Sequence, residues 1–313
     1  MKEKLLLLII LLSTNFALAQ TESFRETEIS INKFIDGTLT QPAVNQNEAL
    51  VIFIQGSGPT DRNGNQSMMK SDFAKKITHQ LAEQGIASFR FDKRIFKMNK
   101  LKIKEEDLRF EDFVEDVQSI TAYFKERGEF SKIILAGHSE GSLIGILAAN
   151  ENTDALISLA GAGRSIDEIV VDQIGKQAPG LKQNTRESFD ELIEKGSTNS
   201  YEPVLGSIFR PSVQPYMLSW IQYNPAEEIA KLEIPVIIIQ GTADIQVDTS
   251  EAKILHEAAP NSNLVLLQDM NHVFREIRDN DALVNTKSYN EPKRPLHPNL
   301  IPTLVEFVKN LDN

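Results

Sequence analysis

Six short runs of near-continuous apolar residues constrain this chain more than any other feature: Ala49 to Ile54, Ile86 to Phe91, Lys132 to Ala136, Ala155 to Leu159, Ile234 to Ile239 and Asn263 to Leu267. Runs of this length, rich in valine, isoleucine, leucine and phenylalanine, suit strands covered on both faces, because a strand with one wet face alternates in polarity instead. Between them lie segments with helical spacing of apolar residues, at Asp72 to Gln84, Glu111 to Arg127, Gly141 to Ala149, Ser250 to Ala258 and Leu300 to Leu311. Strands that alternate with helices need crossovers, so the expectation is an α/β fold whose central sheet is mostly parallel and flanked by helices. Ahead of it, Phe24 to Ile31 and Phe34 to Thr40 alternate in polarity, with a turn signal at Asp36-Gly37 and a break at Pro42. They read as leading antiparallel strands.

One interval breaks the rhythm. Gly163 to Lys231 shows no strand pattern; it has amphipathic stretches at Ile166 to Ile174 and Ser188 to Ile193, then the aromatic group Phe209, Tyr216, Trp220 and Tyr223. It reads as a helical cap inserted in the sheet, with aromatics that chiefly pack the cap itself. The plan is therefore a core of residues 20–162 and 232–313 with a cap of residues 163–231. Residues 1–19 stand apart: Lys2 and Lys4, the apolar run Leu5 to Leu12, then small residues at Ala17 and Ala19 before Gln20 form the pattern of a signal peptide. The run is shorter than the roughly 20 apolar residues a bilayer demands. The expectation is export, periplasmic or secreted, with cleavage after Ala19 and no stable membrane insertion afterwards.

Composition removes several chemistries. The chain has no cysteine, which excludes disulfides, thiolate metal sites and a cysteine nucleophile together. A formal net charge of −11 makes nucleic acid and anionic membrane surfaces poor partners.

Gly137-His138-Ser139-Glu140-Gly141 directly follows the run Lys132 to Ala136 and directly precedes a helical segment. A G-x-S-x-G pattern alone is weak; its place between strand and helix is the stronger signal, because a nucleophilic serine must be held clear of its own backbone on a tight turn. Glycines at both ends remove the side chains that would collide there. The helix start behind Ser139 also supplies backbone N–H groups where negative charge develops. A serine hydroxyl needs a base, and the base a carboxylate to hold its tautomer. Asp244 follows the run Ile234 to Ile239, and His272 follows Asn263 to Leu267. In a parallel sheet those strand ends share one edge with Ser139. Asp248 is the runner-up acid on the same loop. His79 and His256 fall in helical segments, His138 lies inside the elbow, and His297 sits among prolines, so each is read as structural or exposed.

The loop after Ala49 to Ile54 runs Gln55-Gly56-Ser57-Gly58-Pro59-Thr60-Asp61-Arg62-Asn63-Gly64-Asn65. Its glycines allow close approach to a bound carbonyl, so the backbone N–H groups of Ser57 and Glu140 are assigned as the oxyanion hole. Asp61, Asn63 and Asn65 imitate the start of a calcium loop, but glycine stands fourth and Asp72 twelfth where that motif wants glycine sixth and glutamate twelfth. No metal is expected. Asp61 and Arg62 are read instead as braces of the loop, against Asp92, Lys93 or Arg94.

With these stations placed, the chain from about Phe24 onward resembles the α/β-hydrolase superfamily. Within it, the chain is similar to exported bacterial esterases and serine-aminopeptidase-like (S33-type) hydrolases that carry a G-S-G-P-T-D-R-x-G-N loop, here Gly56 to Asn65. Arg275 to Pro298, rich in asparagine, lysine and proline, departs from that pattern beside the histidine. The resemblance implies an α/β-hydrolase fold and a carboxylesterase acting on small-molecule esters without a cofactor, through an acyl-enzyme on Ser139 with His272 as base and Asp244 as its partner. A peptidase or amidase using the same triad is the nearest rival, and a non-catalytic binding protein on this fold the more distant one. Oligomeric state is not legible.

Overall fold

The structure, a computed structural model, describes residues 23–44, 49–278 and 281–311. The expected signal peptide of residues 1–19 lies outside them. Eight strands form one sheet: β1 (Phe24–Ser30), β2 (Asp36–Pro42), β3 (Ala49–Ile54), β4 (Ala87–Phe91), β5 (Lys132–His138), β6 (Ala155–Leu159), β7 (Val236–Gly241) and β8 (Asn263–Leu267). Their order is β1-β2-β4-β3-β5-β6-β7-β8. β1 and β2 pair antiparallel, and β2 joins β4 antiparallel. Every pairing from β4 through β8 is parallel.

From β3 to β7 the apolar runs lack alternation because each face of the sheet has its own core, whereas the last run, β8, lies at the sheet's edge with Asn263 and Leu266 exposed. Leu50, Ile52 and Ile54 of β3 join one cluster with the helix Phe110–Arg127, while Val51 and Phe53 join the other with the helices Phe73–Glu83 and Leu300–Asn310. The same division sends Ile133 and Leu135 of β5 one way and Ile134 and Ala136 the other. Successive strand residues point to opposite faces, so a strand covered on both must be apolar throughout. β7 begins two residues later than the apolar pattern suggests. Pro235 has no N–H to give a ladder, and its carbonyl accepts instead from Leu156 N at 3.0 Å.

The edge strands hold by charge as well as by ladder. Arg90, buried in β4, reaches Glu26 of β1 at 2.7 Å and Thr40 of β2 at 2.8 Å, and His79 meets the same carboxylate at 2.8 Å. Burial raises the Glu26 pKa, but the hydrogen bonds from Arg90 and His79 outweigh it and hold the carboxyl down at about 2.

Between β6 and β7 the chain runs through the helices Ile166–Gln177, Lys182–Lys195, Gly206–Phe209, Gln214–Ile221 and Pro225–Ile229. Its aromatics divide between two jobs. Phe209 packs on Phe189 at 4.7 Å between ring centroids and on Tyr201 at 5.8 Å, inside this helical segment. Trp220 stacks on Phe110 at 5.2 Å, with Tyr216 at 6.1 Å and Tyr223 at 5.8 Å, so these three hold the segment onto the core helix rather than packing it internally. Among the described residues no helix is long and apolar enough to cross a membrane.

Parallel strands put the C-terminal ends of β3, β5, β7 and β8 on one edge. Ile54 pairs with Gly137, His138 with Leu159, and Gly241 with Leu267, so the loops that follow leave the sheet side by side. Ligands in such sheets bind at that edge.

Candidate active site

Ser139 sits between β5 and the helix Glu140–Ala148 with φ 54 and ψ −119, a conformation L residues seldom adopt. The turn is as tight as the elbow pattern demands. A Cβ on Gly137 would stand 2.0 Å from the carbonyl oxygen of Gly141, and one on Gly141 would stand 2.4 Å from that of Ile54. The strained serine is pinned by its own N–H, which donates to Leu159 O at 2.9 Å, and by its carbonyl, which accepts from Ser142 N at 2.9 Å. Its side chain has no such tie among the described residues and lines a cavity of about 530 Å³ beside the sheet edge.

His272 lies in the loop after β8 and is buried, its Nδ1 2.7 Å from Asp244 Oδ2. Asp244 is held from four directions: Oδ1 accepts from the backbone N–H of Gln246 at 2.8 Å and of Val247 at 3.0 Å, while Oδ2 takes Gln240 Nε2 at 3.0 Å as well as the imidazole. Asp248 has a different task. Its Oδ1 caps the helix Thr249–Ala258 by accepting from Ser250 N at 3.0 Å and Ser250 Oγ at 2.9 Å, and its side chain is more than half exposed. The imidazole of His272 is fixed against the elbow through His138, whose ring centroid is 4.6 Å away and whose Nε2 donates to His272 O at 2.9 Å. Burial, then the neighbouring His272, keep the His138 pKa well below its ordinary value, which leaves it a neutral spacer. The Ser139 hydroxyl itself makes no hydrogen bond among the described residues; such contacts commonly close only when substrate is bound.

The loop after β3 approaches the elbow closely. A Cβ on Gly56 would lie 3.3 Å from that of Ser139 and 3.2 Å from His138 Nδ1. Ser57 lines the same cavity as Ser139 and Glu140, and its N–H has no protein acceptor among the described residues. The N–H of Glu140 opens its helix, where the first four donors have no partner within the helix. Arg62 braces this loop against Asp92, with Nη2 to Oδ2 at 2.7 Å and backbone N to Oδ1 at 2.9 Å, and also contacts Glu28. Asp61 instead organises the loop itself by accepting from Asn63 N at 2.8 Å and Asn65 N at 2.9 Å. Lys93 turns away from Asp61: its Nζ donates to Gly56 O at 3.1 Å and meets Glu140 Oε2 at 3.2 Å. The other oxygen of Glu140 accepts from Tyr216, whose pKa burial and the Glu140 charge push well above its usual value. Among the described residues no three histidine, aspartate or glutamate side chains are grouped to hold a metal ion.

The polar stretch after His272 supplies a brace that apolar patterning could not reveal. Within it the helix Ala282–Ser288 offers Asn285 Oδ1 and Ser288 Oγ to Asn271 Nδ2 at 2.9 and 2.8 Å, and Asn285 Nδ2 donates to Ala243 O at 2.7 Å. It therefore ties the loop of His272 to the loop of Asp244.

A family model for BD-FAE matches residues 38–259. Esterase EstD of Thermotoga maritima is 29% identical over 262 residues, which cover 81% of this chain and 61% of that protein, so the chain spans a little under two thirds of its relative's length. Among solved structures, Est1E from Butyrivibrio proteoclasticus superposes with a TM-score of 0.55 at 18% identity, covering 91% of this chain and 99% of its own. The proline iminopeptidase of Mycobacterium smegmatis reaches the same TM-score at 12% identity, covering 92% of this chain and 99% of its own. Likeness at those identities carries the fold alone, since one scaffold hosts many chemistries. With the sheet order, the elbow and the family match together, the chain has the α/β-hydrolase fold and belongs to the BD-FAE family.

Proposed function

We propose that this chain is a serine hydrolase that cleaves small-molecule carboxylic esters through an acyl-enzyme on Ser139. The observation that carries the reading is the buried 2.7 Å hydrogen bond between His272 Nδ1 and Asp244 Oδ2 at the sheet edge that also presents a strained Ser139. With Nδ1 donating to the carboxylate, Nε2 is the basic nitrogen. His272 takes the Ser139 proton as the oxygen attacks the ester carbonyl, and the oxyanion is received by the N–H groups of Ser57 and Glu140. The C–O bond to the alcohol then breaks, and His272 returns the proton to the leaving alkoxide. Water repeats the sequence on the acyl-enzyme and regenerates Ser139. Residues 163–231 act as the cap that walls the cavity, through Tyr216 and Trp220 among others.

The charge pattern of the cavity favours a neutral ester over a peptide with a free amine. Each charged residue that lines it already has an opposite partner: Lys93 with Glu140, Arg210 with Glu105, Arg164 with Glu251. A free ammonium would find no spare carboxylate there, and an unpaired charge is costly to bury. The full chain should hydrolyse p-nitrophenyl butyrate with a kcat/KM on the order of 100-fold above that for an amino-acid p-nitroanilide, the scale on which a site rejects a group it cannot pair. Faster cleavage of the anilide would replace the ester reading with the amidase one.

A further inference from the structure

The reaction scheme leaves one buried charge unused. Lys93 follows β4 and is only 4% exposed, with its ammonium 4.6 Å from the ring centroid of Phe113. A lysine is seldom buried without a partner, and this one has two. It donates to Gly56 O at 3.1 Å and pairs with Glu140 Oε2 at 3.2 Å.

Those partners come from two different segments, the loop after β3 and the first turn of the helix Glu140–Ala148, and each is covalently next to, or part of, an assigned oxyanion donor. The Gly56 carbonyl belongs to the same peptide unit as the Ser57 N–H. That peptide is trans, so its C=O and N–H point in opposite directions within one plane. Drawing the carbonyl toward Lys93 therefore aims the N–H the other way, and Gly56 itself lies against Ser139. Glu140 carries the second donor on its backbone and is gripped through its side chain by the same ammonium and by Tyr216. A cation on the carbonyl also polarises the peptide, which strengthens its N–H as a donor.

We propose that Lys93 is a positioning residue for acyl transfer: by holding the Gly56 carbonyl and the Glu140 carboxylate together, its ammonium sets the angle and spacing of the two oxyanion donors, the N–H groups of Ser57 and Glu140. This rests on the ester-hydrolase reading given above. The donors matter chiefly when charge has moved onto the oxygen, so loosening them costs turnover more than substrate binding.

The test compares wild type, Lys93→Met and the double variant Lys93→Met/Glu140→Gln as full chains with p-nitrophenyl butyrate. Lys93→Met leaves a buried carboxylate without its cation and lowers Tm; the double variant removes both charges and keeps the volume, so its Tm returns toward wild type and its kinetics carry the test. The expected result for the double variant is a kcat lower by about 100-fold, the cost of misplacing one oxyanion donor, with KM within about threefold. Its affinity for butylboronic acid, which binds as a tetrahedral adduct, should fall by the same factor as kcat/KM. A folded double variant with wild-type kcat and wild-type boronate affinity overturns the role of Lys93 while leaving the hydrolase reading intact. Wild type that neither turns over the ester nor binds the boronate overturns the reading beneath it.

Discussion

Asp244→Asn is expected to lower kcat by about 10⁴-fold while leaving the fold intact, because the amide can present its NH₂ to Nδ1 and so favour the wrong imidazole tautomer. The environment of Asp244 makes the effect specific. Two backbone N–H groups donate to Oδ1, so the asparagine keeps its oxygen there and cannot turn it toward Nδ1 without losing both contacts. Asp248→Asn, by contrast, should keep kcat within about twofold, since asparagine caps helices nearly as well as aspartate. Steady-state kinetics on both variants, with circular dichroism to verify folding, decides between the two acids. A crippled Asp248 variant beside an active Asp244 variant would move the carboxylate of the relay to the other residue.

The second large effect is on stability. Gly137→Ala should destabilise the protein by about 3 kcal/mol or more, as overpacking at an unyielding site does. The methyl would meet the carbonyl oxygen of Gly141 at 2.0 Å and its carbon at 2.4 Å, and both belong to backbone at the start of a buried helix that cannot move aside. For a domain of this size such a loss lowers Tm by roughly 10 °C. Gly180→Ala is the control. Nothing lies within 4 Å of its added methyl, so Tm should shift by no more than a degree or two. A Gly137→Ala protein with wild-type Tm would mean that the strand-to-helix turn is looser than its contacts indicate.

What the amino-acid pattern reveals follows from how each feature is encoded. Strands β3 to β7 are legible because both their faces are buried, which forces unbroken apolar runs; the elbow is legible because its glycines and serine must be contiguous. The helix Lys182–Lys195 is only half legible, for its first turns read Lys182-Gln183-Asn184-Thr185-Arg186-Glu187 and bury little. The helix Ala282–Ser288 is silent, since it attaches through Asn285 and Ser288 rather than an apolar stripe. The tie between Lys93 and Glu140 spans 47 residues and involves the variable position of the G-x-S-x-G pattern, so no local rule exposes it. Asp248 did carry a local sign: an aspartate followed by Thr249, Ser250 and a helix is a cap pattern, which marks it as occupied elsewhere.

The central claim is that a hydroxyl at position 139 is made nucleophilic by the imidazole at 272. The most direct measurement is to treat the full chain with a fluorophosphonate and locate the adduct by peptide mass spectrometry, in wild type, Ser139→Ala and His272→Ala. A single adduct on Ser139 is expected, with none in Ser139→Ala and labelling slowed by at least about 10³-fold in His272→Ala, since an unassisted serine is a poor nucleophile. An adduct on another residue, or undiminished labelling of Ser139 without His272, would contradict it.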